Sequence, residues 1–175
     1  LIDQSLLQLA NRLKRDAAEV KEDVLSFFRS RFVSILQARG IPGDVIEAVL
    51  QGFDDPVDTF MRAQAIAEVK QEEWFASISS ASKRVENILK KTQAEGTVSE
   101  AFFVQDEEKA LYARFREMET SFITHADRGE YARALKLLAG LKEPIDAFFD
   151  KVLVMSEDED IRRNRIALLK SLVGL

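Results

Sequence analysis

A chain of 175 residues, 46% hydrophobic and 31% charged, has the length of one domain or two small ones and is too apolar to be disordered. The absence of cysteine excludes a disulfide framework and thiolate metal sites, and it fits a reducing compartment such as the cytoplasm. The formal net charge of −5 excludes a protein that is basic all over, but not a local basic patch, because nucleic acid senses charges within a Debye length of about 8–10 Å.

No apolar run approaches the roughly 18 residues of a membrane span, and no secretory leader pattern is present. The first residue is Leu1, which leads us to expect a fragment of a longer chain. Val20, Val24, Phe27, Phe28, Ile35 and Leu36 recur at helical spacing and predict a long helix over 16–39, closed by Gly40 as a left-handed cap. "IPGD" opens a short helix to Gly52. Asp55 followed by Pro56 is an N-cap with proline at the first helical position, starting a helix that runs to Lys70. A shift in composition at that point predicts a boundary between a helical segment, 1–70, and a second helical domain, 71–175.

Trp74, Ile78, Ala81, Val85, Ile88 and Leu89 line one face of a helix over 72–92. "TVSE", Thr97 to Glu100, has the spacing of a capping box. Leu111, Phe115, Met118 and Phe122 then mark a helix over 106–126, which Gly129 ends. "EYARALKLLAGL" forms the next helix. Glu143-Pro144 starts another, whose inner face holds Ile145, Phe148, Phe149 and Val152. Val152 to Met155 alone have the composition of a short strand. The predicted class is all-α, a packed helical bundle.

"SEDEDIRRNRIALL" sets four acids against three arginines. Ser156 and Glu159 have capping-box spacing, and acids in a first turn meet the positive end of the helix dipole. Arg165 falls inside the apolar stripe of that helix. It either pairs with an acid of a neighbouring helix, Asp146 or Asp150, or lays its stem on the core and its head in a groove. Advancing about 100° per residue from Lys83 puts Arg84, Asn87, Lys90 and Lys91 on the face opposite the apolar one. Such a stripe is either a solvated helix face or a surface that tracks phosphates, with the Asn amide available to a base edge or ribose.

Catalysis finds little support. His125 is the single histidine, near a helix end, and without cysteine it makes no metal cluster. The acids of "EDED" splay around one turn, which suits a hard cation poorly. No Gly-rich phosphate loop and no nucleophile–base pair stand out.

"KRVENILKK" at 83–91, "GEYARALKLLAGLKEPIDAFFDKVLVM" at 129–155 and "SEDEDIRRNRIALLKSL" at 156–172, in that order, resemble the C-terminal part of the beta subunit of the two-subunit, bacterial-type glycyl-tRNA synthetase. "FFRSRF" with "GDVIEAVL" is similar to the helical stretch preceding the anticodon-binding region of that subunit. The resemblance implies a helical anticodon-binding domain of the DALR type, preceded by a helical segment. It implies a cytoplasmic parent enzyme that attaches glycine to its tRNA using ATP and Mg²⁺, with the chemistry in an alpha subunit and no cofactor in this fragment. The expected partners are glycine-specific tRNA and the alpha subunit, with neither DNA nor membrane.

On the matching motifs, RNA contact is expected first from Lys83, Arg84, Asn87, Lys90 and Lys91, then from Arg162 and Arg163. Phe148, Phe149 and Leu168 are expected to pack, and Asp146, Asp150 and Arg165 to form an internal charge network. The family often has Met where this chain has Leu153, a change that conserves volume. The rival expectation is a helical module that binds protein along an apolar groove, suggested by the acidic balance and by "EYARALKLL", which resembles repeats of the tetratricopeptide type.

Overall fold

The computed structural model describes Gln4 and residues 16–53, 55–92 and 96–174. Most of the first fifteen residues of the expected leading segment therefore lie outside the described residues. The described residues hold eight α-helices, two short 3-10 turns and no strand. The chain divides into two compact units, 1–63 and 64–175.

In the first unit, α1 (Ala17–Ala38) starts on Asp16, whose carboxylate accepts from the amides of Ala18 and Glu19. It ends where expected. Gly40 adopts φ +76°, the Gly40 amide donates to the Gln37 carbonyl and the Ile41 amide to that of Leu36. This paired closure satisfies carbonyls that the helix end leaves open and requires a residue free to adopt positive φ. α2 (Gly43–Leu50) packs against α1 and buries Val45, Ile46 and Val49. α3 (Pro56–Val69) opens on Asp55, whose side chain accepts from Val57 and Asp58 at 2.7 and 3.2 Å.

The apolar stripe of α1 has the expected period but is not a core face along its length. Leu36 is its one buried residue, while Phe27 and Phe28 stay exposed. α2 is only eight residues long, so within this unit it covers no more than about 12 Å of a helix nearly three times its length.

The second unit is built by α4 (Glu73–Leu89), α5 (Asp106–Asp127), α6 (Tyr131–Leu138), α7 (Lys142–Lys151) and α8 (Glu159–Val173). α5 packs on α6 and α7, and α4 on α7 and α8. Leu111, Phe115, Met118 and Phe122 of α5 are buried, as their spacing predicts, together with Ile145, Phe148, Leu168 and Leu169. Full burial of a side chain such as Phe148 contributes about 1.5–3 kcal/mol. Gly129, at φ +71°, closes α5 as Gly40 closes α1, with the Glu130 amide on the His125 carbonyl.

Two expected caps fall elsewhere. Thr97 and Glu100 form no capping box. The buried Asn164 of α8 takes the Ser99 amide at 2.7 Å, and Ser99 stays extended before a 3-10 turn, Glu100–Phe102. The reciprocal cap sits at α5 instead, where Glu108 Oε2 accepts the Gln105 amide at 2.8 Å. At α8 the cap is Asp158 rather than Ser156, and it accepts from Asp160 and Ile161 at 3.0 and 3.1 Å. The helix begins two residues later than a Ser156 cap would start it, and the Asp158 carboxylate satisfies its first free amides with charge-assisted bonds. Residues 152–155 are irregular, extended at Val152 and bent at Val154 and Met155, and form no strand among the described residues.

Candidate nucleic-acid interface

α4 buries Val85 inward, and its polar face is left outward. Along that face Lys83, Arg84, Asn87 and Lys91 line one open cleft of about 640 Å³, with Ser80 and Thr92 at its ends. The rest of the lining comes from Ile88 and from the irregular stretch Val152 to Met155. Three cations and an amide therefore share a cleft whose lining contains no carboxylate. Among the described residues none of Lys83, Arg84, Lys90 and Lys91 takes part in an ion pair. Arg84 is held in place by an aromatic ring instead: its guanidinium carbon sits 4.2 Å from the centre of Phe149, which is half-buried. Phe149 in turn meets the fully buried Phe148 edge to face, with centroids 5.6 Å apart. Lys90 is exposed at the end of α4 and does not line the cleft.

The second wall is fixed from behind. Val152 and Val154 point into the core, which turns Leu153 and Met155 outward at 70% and 52% exposure. The Leu153 carbonyl accepts from Arg165 Nη1 at 2.8 Å, and the Lys151 carbonyl accepts from Gln105 Nε2 at 3.2 Å. Arg165 is the hub. Its Nε and Nη2 donate to the two oxygens of Glu108 at 2.9 and 3.2 Å, and Nη2 also reaches Gln105 Oε1 at 3.1 Å. Both charged side chains are buried. Burial by itself pushes the Glu108 carboxyl up. The Arg165 guanidinium and the amides of Gln105 and Val104 outweigh it and hold the group below its ordinary value.

This corrects the expected charge network. Arg165 does meet an acid of another helix, but the acid is Glu108 of α5, because its turn of α8 faces the start of α5. Asp146 belongs to a separate surface cluster, accepting from Ser77 Oγ at 3.0 Å and Lys142 Nζ at 3.2 Å. Asp150 is exposed and forms no hydrogen bond or ion pair with another described residue.

Arg162 and Arg163 are not brought to the cleft. Arg162 Nη1 donates to the Ser156 carbonyl at 3.0 Å, and Arg163 pairs with Glu159 at 3.0 Å and lies 3.8 Å from Asp160. The acids that open α8 thus occupy Arg163, while a main-chain carbonyl holds Arg162. Sequence reasoning missed Leu153 and Met155, which read as part of a hydrophobic run. Their burial alternates, with Val152 and Val154 inward and Leu153 and Met155 outward, but four apolar residues in a row carry no polarity pattern that announces it.

His125 Nδ1 lies 2.6 Å from Glu130 Oε2 across the α5–α6 turn. That contact, first, and Arg133 beside it hold the Glu130 carboxyl below its ordinary value. Among the described residues no three His, Asp or Glu side chains are grouped to hold a metal ion, and no helix is long and apolar enough to cross a membrane.

Residues 78–173 match the family model of the DALR anticodon binding domain. Whole-length matches of this chain include the glycine–tRNA ligase beta subunits of Syntrophotalea carbinolica, 40% identical over 100% of this chain and 25% of that protein, and of Syntrophus aciditrophicus, 37% identical over the same shares. The subunit of the same description from Trichlorobacter lovleyi is 43% identical over 98% of this chain and 25% of its own length. The chain thus spans about a quarter of the length of these relatives.

Proposed function

This chain belongs to the DALR anticodon binding domain family, and from that premise we propose that it is the non-catalytic, tRNA-binding part of a glycine–tRNA ligase beta subunit. The observation that carries the reading is the cleft beside α4, where Lys83, Arg84 and Lys91 gather with Asn87 and no acid answers them. In a chain of net charge −5 such a locus attracts phosphate while the acidic remainder repels it. The anticodon arm offers a looped single strand whose bases can be unstacked and read at their edges. Lys83 and Lys91 take backbone phosphates, Arg84 and Asn87 take base or ribose, and Lys90 stands at the margin. The RNA-binding part runs from about residue 71 to 175, with 1–70 as a helical segment ahead of it.

In the parent assembly, an alpha subunit supplies the ATP- and Mg²⁺-dependent attachment of glycine, in the cytoplasm. On this reading the fragment contributes position rather than chemistry. Binding at the anticodon helps commit the correct tRNA to a distant site, which is specificity expressed in kcat/KM.

The exposed Leu153 and Met155 are the feature that a protein-binding groove would also present. Charge favours RNA, because three unpaired cations share their cleft. A titration of the chain against cognate and non-cognate tRNA at two salt concentrations tests the reading. We expect a preference for the cognate tRNA and a log–log salt slope of roughly −0.7 per phosphate neutralised. Changing Lys83, Arg84 and Lys91 together to Ala is expected to flatten the slope and weaken binding at least about tenfold, at about 1 kcal/mol or more per charge-assisted contact. Equal affinity of parent and triple variant for cognate tRNA refutes it.

A further inference from the structure

The cleft has one cationic and one apolar wall, and a surface that only tracked phosphate would have no use for the second. An isolated exposed leucine needs no explanation. Here two apolar side chains are turned outward by their buried neighbours Val152 and Val154, beside the cations, and their main chain is pinned at the carbonyls of Lys151 and Leu153. Arg84 is likewise prepared. A guanidinium stacked on Phe149 is a flat surface held in place, and it lines the same cleft as Leu153 and Met155. Flat π-surfaces and apolar side chains recognise the faces of nucleobases, whereas phosphate needs only charge.

We propose that this cleft takes one unstacked nucleobase of a single-stranded RNA loop, held between the Arg84 guanidinium resting on Phe149 and the exposed side chains of Leu153 and Met155. The assignment rests on the tRNA-binding reading above and adds to it which groups meet the base. Asn87, with one donor and one acceptor end, faces the base edge, and Lys83 and Lys91 take the phosphates on either side. Arg165 is a positioning residue: it touches no RNA, but it sets the wall by holding the Leu153 carbonyl.

The probe is the anticodon stem-loop of a glycine-specific tRNA, intact and with each loop nucleotide replaced in turn by an abasic one. The parent chain is expected to lose about fivefold or more in affinity at one abasic position, the scale of a single stacked base. Leu153→Ser/Met155→Ser is expected to bind the intact loop about as weakly as the parent binds that abasic loop. Removing the same base should then cost the variant nothing more, and the salt slope should stay that of the parent. Arg84→Lys, which keeps the charge and loses the plane, is expected to behave like Arg84→Ala. Should the double variant melt early, Leu153→Ser alone repeats the test.

An abasic series that costs the parent nothing, while the Lys83/Arg84/Lys91 variant still binds weakly, leaves the groove as a phosphate track and overturns the base slot alone. Serine variants that bind every loop as the parent does overturn it too. A parent chain that fails to bind the intact stem-loop brings down the tRNA reading and the slot with it.

Discussion

Two sets of cations lie within the second unit, and they differ in what already holds them. On α4, Lys83, Arg84 and Lys91 stand around a cleft with no carboxylate in its lining. On α8, Arg162, Arg163 and Arg165 are all committed, to the Ser156 carbonyl, to Glu159 and to Glu108 respectively. Both sets read as basic in the sequence. A cation that already has an oxygen beside it gains little from a phosphate, because it must break one charge-assisted bond to make another. On the proposed reading, RNA contact belongs to α4 and architecture to α8, so the state of pairing, not the density of positive charge, separates them.

The sharpest way to break that division is at its architectural end. Removing one member of a buried ion pair leaves the other charge without compensation, at a cost of about 3–5 kcal/mol. Arg165→Met and Glu108→Gln are each expected to lose about that much in denaturant unfolding. Glu108→Gln combined with Arg165→Met should recover much of the loss, because no lone charge then stays buried and the Gln oxygen can still accept the Gln105 amide. A double variant as unstable as the sum of the singles refutes the coupling. pH offers a second route. The Glu108 carboxyl is held below its ordinary glutamate value of 4.5. Its contribution is therefore complete above the unfolded value and fades as pH falls through the depressed folded one. Stability of the parent should drop below about pH 4.5, and more steeply than that of Glu108→Gln, in which this carboxylate is gone.

The functional end of the comparison gives the next effect. The Lys83/Arg84/Lys91 variant should lose RNA affinity with little change in unfolding free energy, since no described ion pair depends on these residues. A variant that loses stability in proportion to binding would place those cations with the architectural set.

How far the sequence disclosed this arrangement follows from the range of the interactions. Period and punctuation are local, so the helices, the cap at Asp55, the glycine closures at 40 and 129 and the buried face of α5 are all legible. The α4 stripe is legible for the same reason, because one helix fixes the relative directions of Lys83, Arg84, Asn87 and Lys91. Glu108 as the partner of Arg165 is not, since the two are joined by packing between α5 and α8 across 57 positions. Leu153 and Met155 were hidden by composition: a hydrophobic run reads as core, and which members face outward depends on how Arg165 and Gln105 hold its carbonyls. At the start of α8 two local signals competed, and the carboxylate of Asp158 won by capping a helix that begins two residues later than Ser156 would start it. The exchange predicts a small effect. Asp158→Ala should cost about 1 kcal/mol and Ser156→Ala only a few tenths. Equal losses would return the cap to the serine.

The smallest expected effect tests the comparison most directly. Arg163 is an exposed arginine beside Arg162, and the sequence alone offers it as an RNA contact. Its guanidinium instead spans Glu159 and Asp160, one turn back on its own helix. An exposed i, i+4 pair of this kind contributes about 0.3–0.5 kcal/mol, so Arg163→Ala should barely move stability. It should also leave affinity for glycine-specific tRNA within about twofold of the parent and the salt slope unchanged, since no phosphate is released with it. Glu159→Gln is the complementary variant, because it frees Arg163 without removing it. If Arg163→Ala reduces the salt slope by a full contact, the pair opens on RNA and α8 belongs to the binding surface. If affinity instead rises in Glu159→Gln and returns to the parental level in the double variant, Arg163 is a cation held in reserve by its own helix, and pairing in the free protein ceases to separate the two sets.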